Sequence, residues 1–213
     1  MGMKQILVMM AAVLALVGCS NETPEPSPAS DPAATAYEKL IADPIVEKAV
    51  RKSLKKPEGE LTAGDLEKVT SLSLWATKIT DEGLKEVAKL QELRQLFLVK
   101  TQITDAGLKE VANLQNLKEL YLNGTRITNA GLKDVAKLQN LEVLMLDETQ
   151  ITDEGLKEVA KLQKLEQLLL SYTEITDAGL KDVARLQKLI KLVFWSTKVT
   201  KAGVAEFKKA LPD

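Results

Sequence analysis

The 213-residue sequence has no histidine and a single cysteine, Cys19. A Cys-His pair, a Ser-His-Asp triad and the usual zinc ligand sets are excluded together, and so is any disulfide within the chain. Neither sign of charge is in excess. Lys and Arg number 29 against 30 Asp and Glu, a formal charge of -1, so no basic surplus exists to compete for nucleic acid phosphates, and a DNA or RNA partner is disfavoured. Glycines occur singly, and none sits in a Gly-rich loop after a strand, which argues against a phosphate-binding site. The one long apolar run, residues 6–17, is too short to cross a bilayer comfortably as a helix. What is present, 45% apolar and 28% charged residues, is the composition of a globular protein with one folded domain.

The short apolar run follows Lys4, the only charge before it, and reads as the h-region of a signal peptide. It ends in the sequence LVGC at residues 16–19, which resembles the bacterial lipobox. The resemblance implies that Cys19 becomes the first residue of the mature protein and carries a diacylglyceryl thioether and an N-acyl chain. Several chains give a stable anchoring that one cannot. Ser20 follows instead of an aspartate, so the outer membrane is favoured over the inner one. Residues 20–36, SNETPEPSPASDPAATA, contain four prolines and almost nothing apolar larger than alanine. They cannot build a core, and as an extended tether at about 3.1 Å per residue they reach up to roughly 50 Å. The expected organisation is a signal peptide over 1–18, a lipidated tether over 19–37 and a folded domain over 38–213.

Within that domain the chain repeats itself. The sequence TKITDEGL beginning at Thr77 returns with small changes at Thr101, Thr125, Thr149 and Thr173, each step being 24 residues. Five units span 77–196, an N-terminal cap spans 38–76, and a truncated sixth unit, 197–213, serves as the C-terminal cap. Such a period signals a solenoid whose turns bury their apolar faces only by stacking. Leu120 and Leu122 alternate with Tyr121 as in a short strand, while Leu132, Val135 and Ala136 fall at helical spacing. Each turn is thus one strand and one helix.

Thr80, Thr104, Thr128, Thr152 and Thr176 are expected N-caps, with Asp or Asn next to them. Gly83, Gly107, Gly131, Gly155, Gly179 and Gly203 fall in the first helical turn, where a close neighbouring backbone is the expected reason for glycine. At the start, Asp43 and Pro44 open a helix with Val46, Val50 and Leu54 on one face, and Thr62 with Asp65 resembles a capping box. At the other end Val204, Phe207 and Leu211 are placed to cover the last turn, and Pro212 stops it.

The pattern LxxLxLxxTxI, carried by Leu117, Leu120, Leu122, Thr125 and Ile127, resembles the leucine-rich repeat. The units are similar to those of bacterial leucine-rich-repeat surface proteins and of the ribonuclease-inhibitor-like superfamily. The resemblance implies an α/β solenoid with parallel strands on a concave face and helices on a convex one. Where that family usually has Asn or Cys after the strand, this chain has threonine (Thr77, Thr101, Thr125, Thr149, Thr173, Thr197), which puts a tight asparagine ladder in doubt.

The helical half hardly changes between units, reading GLKEVAKLQ, GLKEVANLQ, GLKDVAKLQ, GLKEVAKLQ and GLKDVARLQ. Its charges are a solvated face with weak pairs such as Glu86 and Lys89. The strand half varies. One outward row reads Ser73, Phe97, Tyr121, Met145, Leu169, Val193; a second reads Trp75, Val99, Asn123, Asp147, Ser171, Trp195; a third contains Lys100, Glu148 and Tyr172. Five of the chain's eight aromatics lie in these rows, and Trp and Tyr are typical interface anchors. Trp75 and Trp195, near the ends, have the alternative of packing against the caps.

Arg94, Lys100 and Lys118 lie toward one end, and Glu142, Asp147, Glu148 and Glu166 nearer the middle, a polarity that can set register on a partner. The expected function is a membrane-anchored, extracytoplasmic binding module for a protein or peptide. Trp75, Phe97, Val99, Tyr121, Met145, Asp147, Glu148, Leu169, Tyr172, Val193 and Trp195 form its binding surface, with no cofactor, metal, small-molecule substrate or catalysis. The alternative is a self-associating structural protein of the cell envelope. Glu142 and Glu166, on adjacent strands, are the one carboxylate pair with a spacing that suits glycoside hydrolysis, but they sit at the strand margin with no expected cleft.

Overall fold

The computed structural model describes residues 39–210. The chain divides into two units, Met1–Tyr37 and Glu38–Asp213. Cys19, the tether, Leu211 and Pro212 lie outside the described residues.

Two short helices, α1 (Pro44–Leu54) and α2 (Ala63–Leu66), precede a regular alternation of strand and helix. The strands are β1 (Ser71–Ser73), β2 (Gln95–Phe97), β3 (Glu119–Tyr121), β4 (Val143–Met145), β5 (Gln167–Leu169) and β6 (Lys191–Val193). The helices between and after them are α3 (Asp81–Val87), α4 (Asp105–Val111), α5 (Asn129–Val135), α6 (Asp153–Val159), α7 (Asp177–Val183) and α8 (Lys201–Ala210). Because a helix returns the chain after every strand, neighbouring strands run parallel. They form one sheet in sequence order, β1-β2-β3-β4-β5-β6. The repeat length sets the register: Leu72 lies opposite Leu96, then Leu120, Leu144, Leu168 and Leu192.

Hydrogen bonding continues beyond the named strands. Leu74 N–H donates to Phe97 O at 2.9 Å and Ala76 N–H to Val99 O at 2.9 Å; on the other side Lys118 N–H donates to Arg94 O at 2.8 Å and Glu142 N–H to Lys118 O at 2.7 Å. The ladder across the strands is therefore made mainly by backbone groups, which leaves most outward positions free to vary.

The inward positions are not free. In the first full turn Leu72, Leu74, Ile79, Leu84, Val87, Leu90 and Leu93 are all fully enclosed, and their counterparts continue one core along the stack. Each such side chain contributes about 2 kcal/mol of burial, so no single turn can be removed cheaply.

Stacking also runs through polar groups that the repeat pattern did not reveal. The Asp81 carboxylate accepts the N–H of Thr104 at 2.8 Å and its hydroxyl at 2.6 Å, one repeat further on. Asp105 does the same for Thr128, Asp153 for Thr176 and Asp177 for Thr200. Asn129 substitutes in the centre: its Oδ1 accepts the Thr152 N–H at 2.9 Å and its Nδ2 donates to the Thr152 hydroxyl at 2.8 Å. The backbone N–H and hydroxyl of Thr200 hold the Asp177 carboxyl below its usual range.

Only three of the five expected N-cap threonines cap with their hydroxyls, Thr104, Thr128 and Thr176. Thr80 and Thr152 occupy the N-cap position but make no side-chain cap bond; the Thr152 hydroxyl is taken by Asn129. The expectation for the glycines is also corrected. It is chiefly a side chain of the preceding turn that comes close: a Cβ on Gly131 would lie 2.5 Å from Asp105 Oδ1 and 2.8 Å from Leu108 Cδ1. Glycine makes room for the ladder. The threonines after the strands bond within their own turn, as Thr101 Oγ1 does to Leu98 O at 2.6 Å, so no ladder forms there.

The N-terminal cap follows expectation. Asp43 accepts the N–H groups of Ile45 and Val46 at 2.8 and 3.0 Å, and Val46 and Val50 are buried against the first turn. Thr62 and Asp65 form the capping box, and the Lys56 ammonium at 2.7 Å, with the Thr62 backbone and hydroxyl, holds the Asp65 carboxyl well below the usual carboxylate range. The C-terminal end is less complete. Val204 and Phe207 are half-buried, yet Leu189, Leu192, Phe194 and Val199 remain only partly covered where Leu165, Leu168, Leu170 and Ile175 are fully enclosed.

Candidate functional site

The outward rows of the sheet lie in register, as the alternation required. Ser73, Phe97, Tyr121, Met145, Leu169 and Val193 face one another strand by strand. Parallel strands are about 4.8 Å apart, close enough for the aromatic pair to stack: the Phe97 and Tyr121 rings are 4.3 Å apart and inclined by 16°. Both are half-buried, as are Met145, Leu169 and Val193. The Tyr121 hydroxyl donates to Glu119 Oε2 at 2.7 Å. Burial, with the Glu119 carboxylate beside it, pushes the phenol up to about 12.

The second row is bound together from Asn123 to Trp195. Asn123 Nδ2 donates to Asp147 Oδ2 at 2.5 Å, Ser171 N–H donates to Asp147 Oδ1 at 2.7 Å, and Trp195 N–H donates to Ser171 Oγ at 3.2 Å. Both Asp147 oxygens are engaged within the sheet. Asn123 Oδ1 is enclosed without a hydrogen-bond partner. At the two ends of the row Trp75 and Trp195 are 64% and 75% exposed, so neither covers a cap, and Val99 is half-buried.

The third row has an unexpected backbone. Ala76, Lys100, Gly124, Glu148, Tyr172 and Ser196, one per turn, all have positive φ between 53° and 66°. The chain must bend sharply here to leave the strand, and only Gly124 suits that conformation. A residue with a Cβ costs about 1 kcal/mol at such a place. Lys100, Glu148 and Tyr172 are nonetheless exposed there, Tyr172 at 63%.

A fourth row, Thr70, Arg94, Lys118, Glu142, Glu166 and Ile190, borders the strands. Its charge polarity is partly cancelled, because Lys118 Nζ lies 2.7 Å from Glu142 Oε1 on the next turn. That pair also commits Glu142 to a neighbour other than Glu166. The row Ser71, Gln95, Glu119, Val143, Gln167 and Lys191 was missed in the sequence reading, although residues two apart in a strand share a face. Glu119, which holds the Tyr121 hydroxyl, belongs to it.

The helix side offers a contrast. Its charges pair three residues apart in or just after a helix, as Lys89 with Glu86 at 3.1 Å and Lys157 with Glu154 at 2.6 Å. Their contribution is small at such exposure. Chemically, the strand side is a surface of apolar and aromatic side chains edged by charges, suited to contact over an area.

Residues 113–136, 137–160 and 161–184 each match the family model described as Leucine Rich repeat, together about a third of the chain. Curated protein sequences include no significant match. Among solved structures, an internalin (inlF) from Listeria monocytogenes is 22% identical with a TM-score of 0.52, covering 81% of this chain and 62% of its own. An internalin C2 (inlC2) from the same organism is 24% identical with a TM-score of 0.46, covering 79% of this chain and 91% of its own. The in-register leucines, the single parallel sheet and the helix returning each turn agree with the matched repeats: the described domain is an α/β leucine-rich-repeat solenoid.

Proposed function

We propose that this chain is a protein-binding module of the bacterial cell envelope, held by a lipid on Cys19, with the outer membrane favoured, and that it recognises a protein or peptide on its concave face. The observation that carries the reading is the contrast within one chain. Five helices are nearly identical, while the strand face bears a different residue at almost every step and exposes Trp75, Tyr172 and Trp195. A contiguous apolar patch with aromatic anchors is what a protein interface requires. Side chains kept at Lys100, Glu148 and Tyr172 despite a backbone that suits glycine add to it. The reading assigns no catalysis. The one carboxylate pair with a suggestive spacing, Glu142 and Glu166, gives it no support, because Glu142 is occupied by Lys118.

Crosslinking in the native envelope, then titration of the captured partner, tests the proposal. Trp75→Ala and Tyr172→Ala, which remove exposed side chains, are expected to weaken binding about fivefold or more each, the effect of an interface anchor. Phe97→Ala and Tyr121→Ala should do likewise, with a modest loss of stability from the broken stack. Lys109→Ala and Lys157→Ala on the helices should leave affinity unchanged. Loss of binding only in those helix variants would place the interface on the convex face. The anchor is tested separately: Cys19→Ser should abolish membrane retention in fractionation while the repeat domain remains folded.

A further inference from the structure

Among the described residues β6 is the last strand of the sheet and pairs with β5 alone. In the turn before, two N–H groups cross to the next strand, Leu170 to Val193 O and Tyr172 to Trp195 O, both at 2.8 Å. Phe194 and Ser196 stand at the equivalent positions one repeat on, and among the described residues no strand receives their N–H groups. The side chains alongside are open too. Leu192 and Phe194 are half-buried, and Ile190 and Trp195 are 78% and 75% exposed.

The edge is not matched to another repeat of the same kind. Each inner turn offers an Asp or Asn to the next turn's threonine, and the corresponding residue of α8 is Lys201, which cannot accept a hydrogen bond. In addition, α8 runs 10 residues where the inner helices run 7. The charge changes with it. Residues 187–210 contain six lysines and one glutamate, whereas the preceding 163–186 contain three basic and four acidic residues. Lys198 pairs with Glu174, while Lys188, Lys191 and Lys201 are exposed and have no ion pair among the described residues.

We propose that the β6 edge is a second docking site, for an extended acidic segment of a partner protein that adds as a further strand. Backbone hydrogen bonds to Phe194 and Ser196 would supply the pairing, and the alternation of the added strand would supply its selectivity. Its residues on the core side are apolar and cover Leu192 and Phe194; those on the concave side are acidic and lie beside Lys191. Lysines on an edge strand discourage indiscriminate pairing, and the same charges favour an acidic strand over a neutral or basic one. Two copies of this edge would bring two lysine-rich surfaces together, a repulsion that disfavours self-pairing.

The full chain and a short capped peptide alternating glutamate and valine provide the test, with amide hydrogen exchange at Phe194 and Ser196 as the readout. The peptide is expected to slow exchange at both positions by about tenfold or more. Methylating its alternate backbone nitrogens should remove that protection, and Phe97→Ala, distant along the sheet, should not. The double substitution Lys188→Glu and Lys191→Glu should transfer the preference to a lysine-valine peptide. Equal protection by both peptides in the unsubstituted chain overturns the proposal, as does no protection by either. It is also overturned if protection grows with protein concentration alone, which assigns the edge to a second copy, or arises only with phosphatidylglycerol vesicles, which assigns it to a lipid surface.

Discussion

On the helix side of each turn nearly every residue is held by something: Leu132 and Val135 fill the core, Gly131 leaves space for Asp105, and Asp105 ties Thr128 to the turn before. On the strand side the ladder is made mainly by backbone groups, so outside the Asn123, Asp147 and Ser171 run the alternate leucines carry most of the constraint. Variation is therefore cheap in most outward rows and expensive at the helix positions that face the core or the next turn. It is not cheap everywhere. In the row with positive φ every side chain other than that of glycine works against the backbone, and the chain keeps five of them there.

The largest way to break this contrast is to attack the constraint both sides share. Leu120→Ala should cost on the order of 2 to 5 kcal/mol in denaturant or thermal unfolding, as for a packed core site. A cost near that of a surface change would mean that the inward and outward faces are assigned in reverse.

A smaller but sharper test uses glycine. Gly131→Ala brings a methyl group onto Asp105 and Leu108 and should destabilise by about 1 to 3 kcal/mol. Gly64→Ala in α2, where nothing lies within 4 Å of the new carbon, should instead stabilise by up to about 1 kcal/mol. If both glycines behave alike, the ladder does not explain the helix-side glycines.

The strained row predicts a trade. Tyr172→Gly, at φ 58°, should raise stability by roughly 1 kcal/mol in melts while weakening the captured partner. A gain in stability with affinity unchanged would keep the strain but remove its functional reason.

Tyr121 gives a pH signature on the strand side. Its folded phenol is pushed up to about 12 from the ordinary tyrosine value. The neutral form is thus favoured by folding, and that contribution is present below the unfolded value and lost as pH rises through the folded one. Ultraviolet titration should find one tyrosine ionising near pH 12, and Glu119→Gln should lower that pKa. The smallest effect belongs to the solvated helix face, where Lys133→Ala should change stability by no more than about 0.5 kcal/mol.

Much of the fold was legible because it is written many times over. A strand or helix that is ambiguous in one copy is unambiguous in five, and the caps at Asp43 and Thr62 carry local signals that need no distant partner. The outward rows followed from alternation, and Phe97, Tyr121, Met145, Leu169 and Val193 lie where it put them. What escaped notice depends on the offset between turns. Asp81 beside Thr104 reads as a helix-start charge until stacking places the two a hydrogen bond apart. Lys118 and Glu142 read as opposite ends of a charge gradient until adjacent strands bring them to 2.7 Å. Glu119 was legible in principle and overlooked.

By itself the sequence determined the turn: its length, the leucines that point inward, and the residues that begin each helix, because these depend on periods of 2 and 3.6 residues along one chain. Tertiary structure alone decided which polar groups close between turns, which backbone positions take positive φ, and that among the described residues the β6 edge has no pairing strand while α1 packs on the first turn. The reason is that hydrogen bonds and burial between turns are set by distances across the stack, and those exist only once five copies of the same turn have been laid side by side.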